Sequence, residues 1–277
     1  MDATIAMIGA GNMAQALIGG LLETGHDPSR LRASDPDPDC RRHVAERYRI
    51  AMHEDNAAAA TGADIIVLAV KPQVIDRVLE PIAAKLAADA VVVSIAAGIP
   101  LARLQRWLPA AQALARVMPN TPALVGAGAS GLYCSAHCST AQRATVAALF
   151  ESVGRVVEIN DEALMDAITA VSGSGPAYFF ALTEALADAG VRAGLERADA
   201  EQLAAQTALG AGRMLTESGT DAGELRRRVT SPGGTTAAAL AVFENGGLKK
   251  LVEHAVQAAV ARGRALGVDD ASGNKGS

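Results

Sequence analysis

Residues 4–25 read TIAMIGAGNMAQALIGGLLETG, and this stretch decides the fold of the first half of the chain. Thr4–Ile8 is a short, almost unbroken apolar run, as expected of a strand buried on both faces. Gly9 and Gly11 follow, and Met13–Glu23 then carries a helical pattern that ends near Gly25. Gly9 suits a tight turn, Gly11 lets another group approach the backbone, and Ala14 lets the helix pack closely on the strand. A G-x-G-x-x-A spacing between a strand and a helix is the fingerprint of a dinucleotide pyrophosphate site. The free amides of the helix N-terminus face the phosphate charge.

The same alternation continues to about residue 158. Strands are expected at Leu31–Ser34, Ile50–Met52, Asp64–Val70, Ala90–Ile95, Ala113–Met118, 130–134 and Arg155–Ile159. Helical patterns lie between them over Arg41–Tyr48, Asn56–Ala60, Val74–Ala88, 100–107 and 140–152. Strands separated by crossover helices pair in parallel, which predicts a doubly wound, mostly parallel α/β sheet of Rossmann type over residues 1–159. From Asn160 onward the periodicity is helical only, over Asp161–Val171, Tyr178–Gly190, Ala198–Gly219, Ala222–Val229, Thr236–Glu244 and Leu248–Leu266. This predicts an all-α domain over 160–269, with 270–277 as a polar tail. Its helices are rich in Ala and Gly and strongly apolar, which points to a surface hidden in a homo-oligomer.

Composition narrows the function. The formal net charge of −5 argues against a nucleic-acid partner, which a basic face would serve. No apolar run approaches the ~18 residues of a membrane span. Met1-Asp2-Ala3-Thr4 carries no basic leader segment. Three cysteines, Cys40, Cys134 and Cys138, are too few for a disulfide framework, and no metal-ligand spacing surrounds them. A cytoplasmic protein without a metal site is the expectation.

Four further groups of residues fall where chemistry is expected. Asp35 ends the second strand, where a carboxylate binds adenine ribose hydroxyls and favours NADH. Arg41 and Arg42 follow and could instead grip a 2′-phosphate. Ala69-Val70-Lys71-Pro72 closes the fourth strand, on the edge where open α/β sheets bind ligands. Ser94–Gly98 and Met118–Pro122 end two more strands on that edge. Val229-Thr230-Ser231-Pro232-Gly233-Gly234-Thr235-Thr236 precedes a helical run. With Ser231 as N-cap and Pro232 at the first helical position, its amides and hydroxyls form a nest for a small carboxylate. Ser172–Tyr178, reading SGSGPAY, must break or kink a long apolar helix, and Glu162 and Asp166 precede it by one to three turns. The five histidines lie outside these groups, and no His–carboxylate pair stands out. Hydride transfer to an imine, which needs no strong protein acid, suits this inventory.

These residues closely resemble the pyrroline-5-carboxylate reductase family. The resemblance rests on IGAGNMA at 8–14, AVKP at 69–72, MPNTP at 118–122, SGSGPAY at 172–178 and VTSPGGTT at 229–236, in the family's order. It implies reduction of (S)-1-pyrroline-5-carboxylate to L-proline with NADPH, or NADH. It also implies a Rossmann domain followed by a helical dimerisation domain, and homodimers that assemble further. By the same resemblance, Ile8, Gly9, Ala10, Gly11, Asn12 and Met13 hold the pyrophosphate, Asp35 and Asn56 the adenosine, and Ala69, Val70, Lys71, Pro72 and Ala97 the nicotinamide side. Ser231, Gly233, Gly234 and Thr235 hold the substrate carboxylate, Thr236 meets the ring nitrogen, and Glu162 is an acidic position near the substrate. Thr236 and Lys71 are the expected catalytic pair. Asp35 departs from the Ser or Thr of many relatives. A β-hydroxyacid-type dehydrogenase would need a helical-domain lysine acid, and Lys249 and Lys250 lie beyond the 229–236 loop. A nucleotide sensor without turnover would not need the second anion site.

Overall fold

The computed structural model describes residues 2–272, with backbone only from residue 266 on. Eight strands form one sheet: β1 (Ile5–Ile8), β2 (Leu31–Ser34), β3 (Ala51–His53), β4 (Ile65–Leu68), β5 (Val91–Ser94), β6 (Ala113–Met118), β7 (Gly128–Cys134) and β8 (Gly154–Ile159). Their order across the sheet is β3-β2-β1-β4-β5-β6-β7-β8. The chain thus winds outward in one direction from β1 to β3, then returns to β4 and winds in the other. Ligands of such sheets bind outside the strand C-termini at that reversal, which here lies between β1 and β4.

Alternate side chains of the central strands enter two separate cores. Ile5, Met7, Ile65, Val67, Val91 and Val93 belong to one. Ala6, Ile8, Ile66, Leu68 and Val92 belong to the other. The first is covered by α1 (Asn12–Glu23) through Leu17, Ile18 and Leu21. Val146, Leu149 and Phe150 of a later helix (Thr140–Glu151) cover it too. Between α1 and that later helix run α2 (Pro38–Tyr48), α3 (Asn56–Ala60), α4 (Ile75–Ala83) and α5 (Leu101–Leu104), so the later helix is α6. Ala59 and Ala60 of α3, Ile75, Leu79 and Ile82 of α4, and Leu104 of α5 cover the second core. α1 lies against the turn before β8: a Cβ on Gly20 would stand 2.5 Å from Val153 Cγ1 and 2.6 Å from the Ser152 oxygen.

Among the described residues β6 and β7 are the one antiparallel pair. Their connection is a short 3-10 turn over Thr121–Val125 followed by Gly126 at φ +68°, too short for a crossover helix, so the strand must return beside its neighbour. α4 ends at Ala83, before the expected residue 88.

After β8 come a 3-10 turn (Glu162–Leu164), α7 (Met165–Ile168) and a π-helical turn (Thr169–Gly173). Then follow α8 (Gly175–Arg192), α9 (Arg197–Glu217), α10 (Ala222–Arg228), α11 (Thr235–Asn245) and α12 (Leu248–Ser272). The chain divides into two compact units: residues up to Ser174 together with Ala259 onward, and Gly175–Ala258. The expected division after residue 159 marks where strands end. Residues 160–174 nevertheless stay with the sheet, because Met165 and Ala170 are buried there and Ile168 caps Gly131 of β7. α12 runs on through Ser272 where a tail beginning at 270 was expected, and 273–277 lie outside the described residues.

Among the described residues of the second unit, Ala187, Ala200 and Ala204 alone form a buried cluster, where α8 and α9 meet through small residues. Large apolar side chains elsewhere on it are exposed, among them Phe180 at 66% and Leu251 at 64%. A surface this apolar marks an interaction face.

Candidate active site

The turn from β1 to α1 sits at the reversal of the sheet. Gly9 has φ +94°, donates its N–H to the Ser34 carbonyl over 2.8 Å, and lies so close to Ala69 that a Cβ would be 2.6 Å from the Ala69 oxygen. No other residue fits there. Gly11 is different: it is the N-cap of α1 with an ordinary φ of −69°, and a Cβ on it would meet nothing within 4 Å. Neither backbone strain nor crowding within the chain requires this glycine. Room for a ligand against the backbone explains it. No side chain caps α1, which leaves its first amides for an anion. The residues present therefore fit a dinucleotide diphosphate. Of the six positions expected there, Ile8 is fully buried, so it presents only backbone. The Ala10 amide is taken by Asp35 Oδ2 at 3.0 Å. Gly11, Asn12 and Met13 carry the amides that remain. Ala14 is buried against the sheet, as its place in the spacing requires.

At the end of β2, Asp35 accepts two backbone amides, from Ala10 on Oδ2 and from Asp37 on Oδ1, both at 3.0 Å. Its first work is to tie the glycine turn to the end of β2. The Ser34 hydroxyl and the Asn56 Oδ1 are 2.7 Å apart, which brings Asn56 to the same strand end. Arg41 Nη1 donates to the carbonyls of Asp35 and Pro36 and thus stands beside this edge, whereas Arg42 is exposed and pairs with Asp39. The Cys40 thiol donates to the Ala10 carbonyl at 3.5 Å. Burial first, and the charges of Asp35 and Asp37 second, push its pKa up, so it remains a neutral thiol.

Beyond the reversal, Ala69 and Val70 are half-buried and the Ala69 N–H donates to the Ile8 carbonyl, so the AVKP segment adjoins the glycine turn. Lys71 is exposed and leads into the 3-10 turn Pro72–Val74. Ala97 lies half-buried in the turn after β5, where Gly98 takes φ +76°. Glu162 does not point freely outward. Its Oε1 accepts the Leu101 N–H at 2.8 Å and pairs with Arg116 Nη1 at 3.2 Å. Arg116 was missed by sequence reasoning. The signal was present as one cation inside the apolar strand ALARVM. Asn120, in MPNTP, is buried; its Nδ2 donates to the Ser172 carbonyl and its Oδ1 accepts the Ala129 N–H, both at 2.9 Å. It therefore joins two motifs rather than reaching a ligand. Asp166 faces Arg264 of α12 at 3.8 Å.

The 229–236 loop starts its helix later than expected. Gly234 is the N-cap of α11 and Thr235 its first residue. Ser231 accepts the Gly234 N–H at 3.0 Å across a turn with Pro232 and Gly233 in the middle. Gly233 has φ +70°, which a helix begun at Pro232 would forbid but a type II turn requires. A Cβ on Gly234 would stand 2.9 Å from Ser231 Oγ. Ser231 is thus a turn residue, not the helix cap, and α11 opens uncapped with Thr235 and Thr236 in its first turn. SGSGPAY does not break the helix outright: the Ser174 N–H reaches the Thr169 carbonyl at 2.7 Å, widening one turn into a π-turn before α8. Among the described residues no group of three or more His, Cys, Asp or Glu side chains is placed to hold a metal. No described helix is long and apolar enough to cross a membrane.

Comparison with known proteins agrees with this geometry. The model of the family described as pyrroline-5-carboxylate reductase dimerisation matches residues 162–266, and that described as NADP oxidoreductase, coenzyme F420-dependent, matches residues 4–98. The pyrroline-5-carboxylate reductase of Pseudomonas aeruginosa is 50% identical over 95% of this chain and 96% of its own. The solved structure of a pyrroline-5-carboxylate reductase from Coxiella burnetii superposes with a TM-score of 0.93 at 38% identity, over 96% of this chain and 99% of that one. The pyrroline carboxylate reductase of Plasmodium falciparum, solved with NADP bound, superposes with a TM-score of 0.83 at 32% identity, over 96% and 98%. At half identity along nearly its whole length, the chain belongs to the pyrroline-5-carboxylate reductase family.

Proposed function

We propose that this protein reduces (S)-1-pyrroline-5-carboxylate to L-proline, the last step of proline biosynthesis, as a cytoplasmic homodimer that assembles into a larger homo-oligomer. The observation that carries this reading is the near full-length likeness to the Pseudomonas aeruginosa reductase, and in this chain the open Gly11 at an uncapped helix start agrees with it. The exposed apolar surface of Gly175–Ala258 supports association through the helical unit.

A nicotinamide dinucleotide held here would supply the hydride for the imine carbon. The amides of Gly11–Met13 hold the diphosphate. Asp35 and Asn56 face the adenosine ribose, and Ala69–Pro72 with Ala97 bound the nicotinamide side. Asp35 favours NADH by repelling a 2′-phosphate, while Arg41, anchored beside the same edge, offsets that repulsion and leaves NADPH as the cofactor we assign. Ser231, Gly233, Gly234 and Thr235 hold the substrate carboxylate at the positive end of α11. The Thr236 hydroxyl positions the ring nitrogen and retains its proton, Glu162 borders the substrate, and Lys71 organises cofactor and water at the cleft edge. Because a protonated imine is already electrophilic, orientation is the protein's main contribution, worth up to ~7–11 kcal/mol for a near-attack geometry.

Initial rates of NADPH and NADH oxidation by the purified protein, with pyrroline-5-carboxylate and with short 2- and 3-oxo acids, test the assignment. Cofactor binding without oxidation by the imine would refute it.

A further inference from the structure

We infer that Arg116 is a positioning residue for hydride transfer: through Glu162 it fixes the Ala97–Leu101 segment beside the nicotinamide site. The inference rests on the pyrroline reduction proposed above and deepens it. Arg116 sits in the middle of β6, in register with Ser94 of β5 and Tyr133 of β7, and is only 6% exposed. A cation withdrawn from water this far is strongly unfavourable unless it is paired. Its one ion partner among the described residues is Glu162, itself only 25% exposed in its side chain.

Glu162 does more than neutralise. The oxygen that meets Arg116 also accepts the amide of Leu101, the first residue of α5. α5 needs this bond, because its N-cap is Pro100, whose side chain has no acceptor. Between β5 and that amide the backbone is lightly tied, by Ile95 N–H to the Leu68 carbonyl and Ala96 N–H to Ser94 Oγ, both at 3.3 Å, and it turns at Gly98 with φ +76°. The segment that carries Ala97 is thus fixed at its far end by a carboxylate from a distant part of the chain, and that carboxylate is held by Arg116. Without the guanidinium, the half-buried Glu162 carboxylate loses its ion partner. It would turn toward water, and that change loosens its hold on Leu101.

The test uses Arg116→Met in the full-length protein. Hydrogen–deuterium exchange of the ligand-free protein is followed in a peptide spanning 97–101, with the peptide spanning 8–15 as internal reference. Single-turnover oxidation of NADPH is measured at saturating pyrroline-5-carboxylate, and 2′,5′-ADP binding reports the adenosine end. Exchange in 97–101 should rise by about tenfold while 8–15 and 2′,5′-ADP binding stay unchanged. The single-turnover rate should fall roughly 10- to 100-fold, the scale of a small misplacement of reacting groups. In Arg116→Met/Glu162→Gln, an uncharged amide oxygen can again accept the Leu101 N–H, and exchange should return toward the parent. A merely architectural Arg116 would lower the melting temperature and leave both the 97–101 exchange and the saturated rate within roughly twofold of the parent. That result overturns the inference. Should Arg116→Met not fold, Arg116→Lys, which keeps a buried cation on a differently shaped head, is read by the same comparison. Parent protein that oxidises no NADPH with the imine would remove the proposed reaction, while the exchange measurements still decide whether the clamp exists.

Discussion

The Asn120 side-chain amide donates to the Ser172 carbonyl over 2.9 Å, and Pro176, four residues further on, has no N–H to offer that carbonyl. With its own oxygen Asn120 accepts the Ala129 amide at the start of β7. One side chain therefore satisfies two backbone groups that the local chain leaves open, and it pins the widened turn before α8 to the sheet. Asn120→Ala strands both groups in a buried place. We expect a loss of about 2–4 kcal/mol in stability. Differential scanning calorimetry should register it as a melting temperature lower by several degrees, and an unchanged transition would dissociate Asn120 from this role.

Gly11 has an ordinary backbone conformation and empty space where a side chain would go. Gly11→Val should therefore fold like the parent while its side chain fills the approach to the α1 amides. NADPH affinity by fluorescence titration should fall by roughly 100-fold or more. Undiminished affinity would contradict the assignment of this turn to the diphosphate. Gly9→Ala should behave oppositely, failing in stability first, because its Cβ would collide with the Ala69 carbonyl.

Thr236 lies in the first turn of the uncapped helix α11. Thr236→Ala removes one positioned hydroxyl and should lower turnover by ~10–100-fold. The nucleotide affinity should not move. Parent-like turnover would take Thr236 out of the mechanism.

Asp76 of α4 is held by Arg103 at 2.7 Å and by the Trp107 indole N–H at 3.0 Å. The Arg103 hydrogen bond lowers its pKa most, the Trp107 bond adds to this, and burial opposes both. A depressed carboxyl stabilises the fold above its ordinary unfolded value near ~4 and loses that contribution as pH falls through the folded value. Its side chain is about a third exposed, so screening holds the contribution to ~1 kcal/mol at neutral pH. Asp76→Asn should cost about that much in urea unfolding at pH 7 and much less near pH 3. Equal losses at both values would show that charge is not the cause.

The sheet was legible because its strands announce themselves by composition. Runs such as IIVL and VVVS suit strands with both faces covered, and the glycine turn at 9–11 marks the end of β1 as a ligand edge; that the sheet reverses between β1 and β4 is seen only in the strand order. The start of α11 was misread, since Ser231-Pro232 is a good helix opening by local preference, and the positive φ of Gly233 decides for a turn instead. The antiparallel β7 follows from how short its connection is, which a pattern of strand and helix does not weigh. Glu162 was recognised as an acidic position of interest, but its hold on Arg116 and Leu101 depends on residues 46 and 61 positions away. Periodicity reports faces of single elements, and such long-range pairings lie outside it.

The helical unit encloses little beyond three alanines, Ala187, Ala200 and Ala204. A newly made copy therefore has almost nothing inside that half to collapse around, and in the proposed homodimer its packing waits on a second copy. Dilution should soften these helices before the sheet, so that the apparent melting point climbs with the amount of protein in the tube.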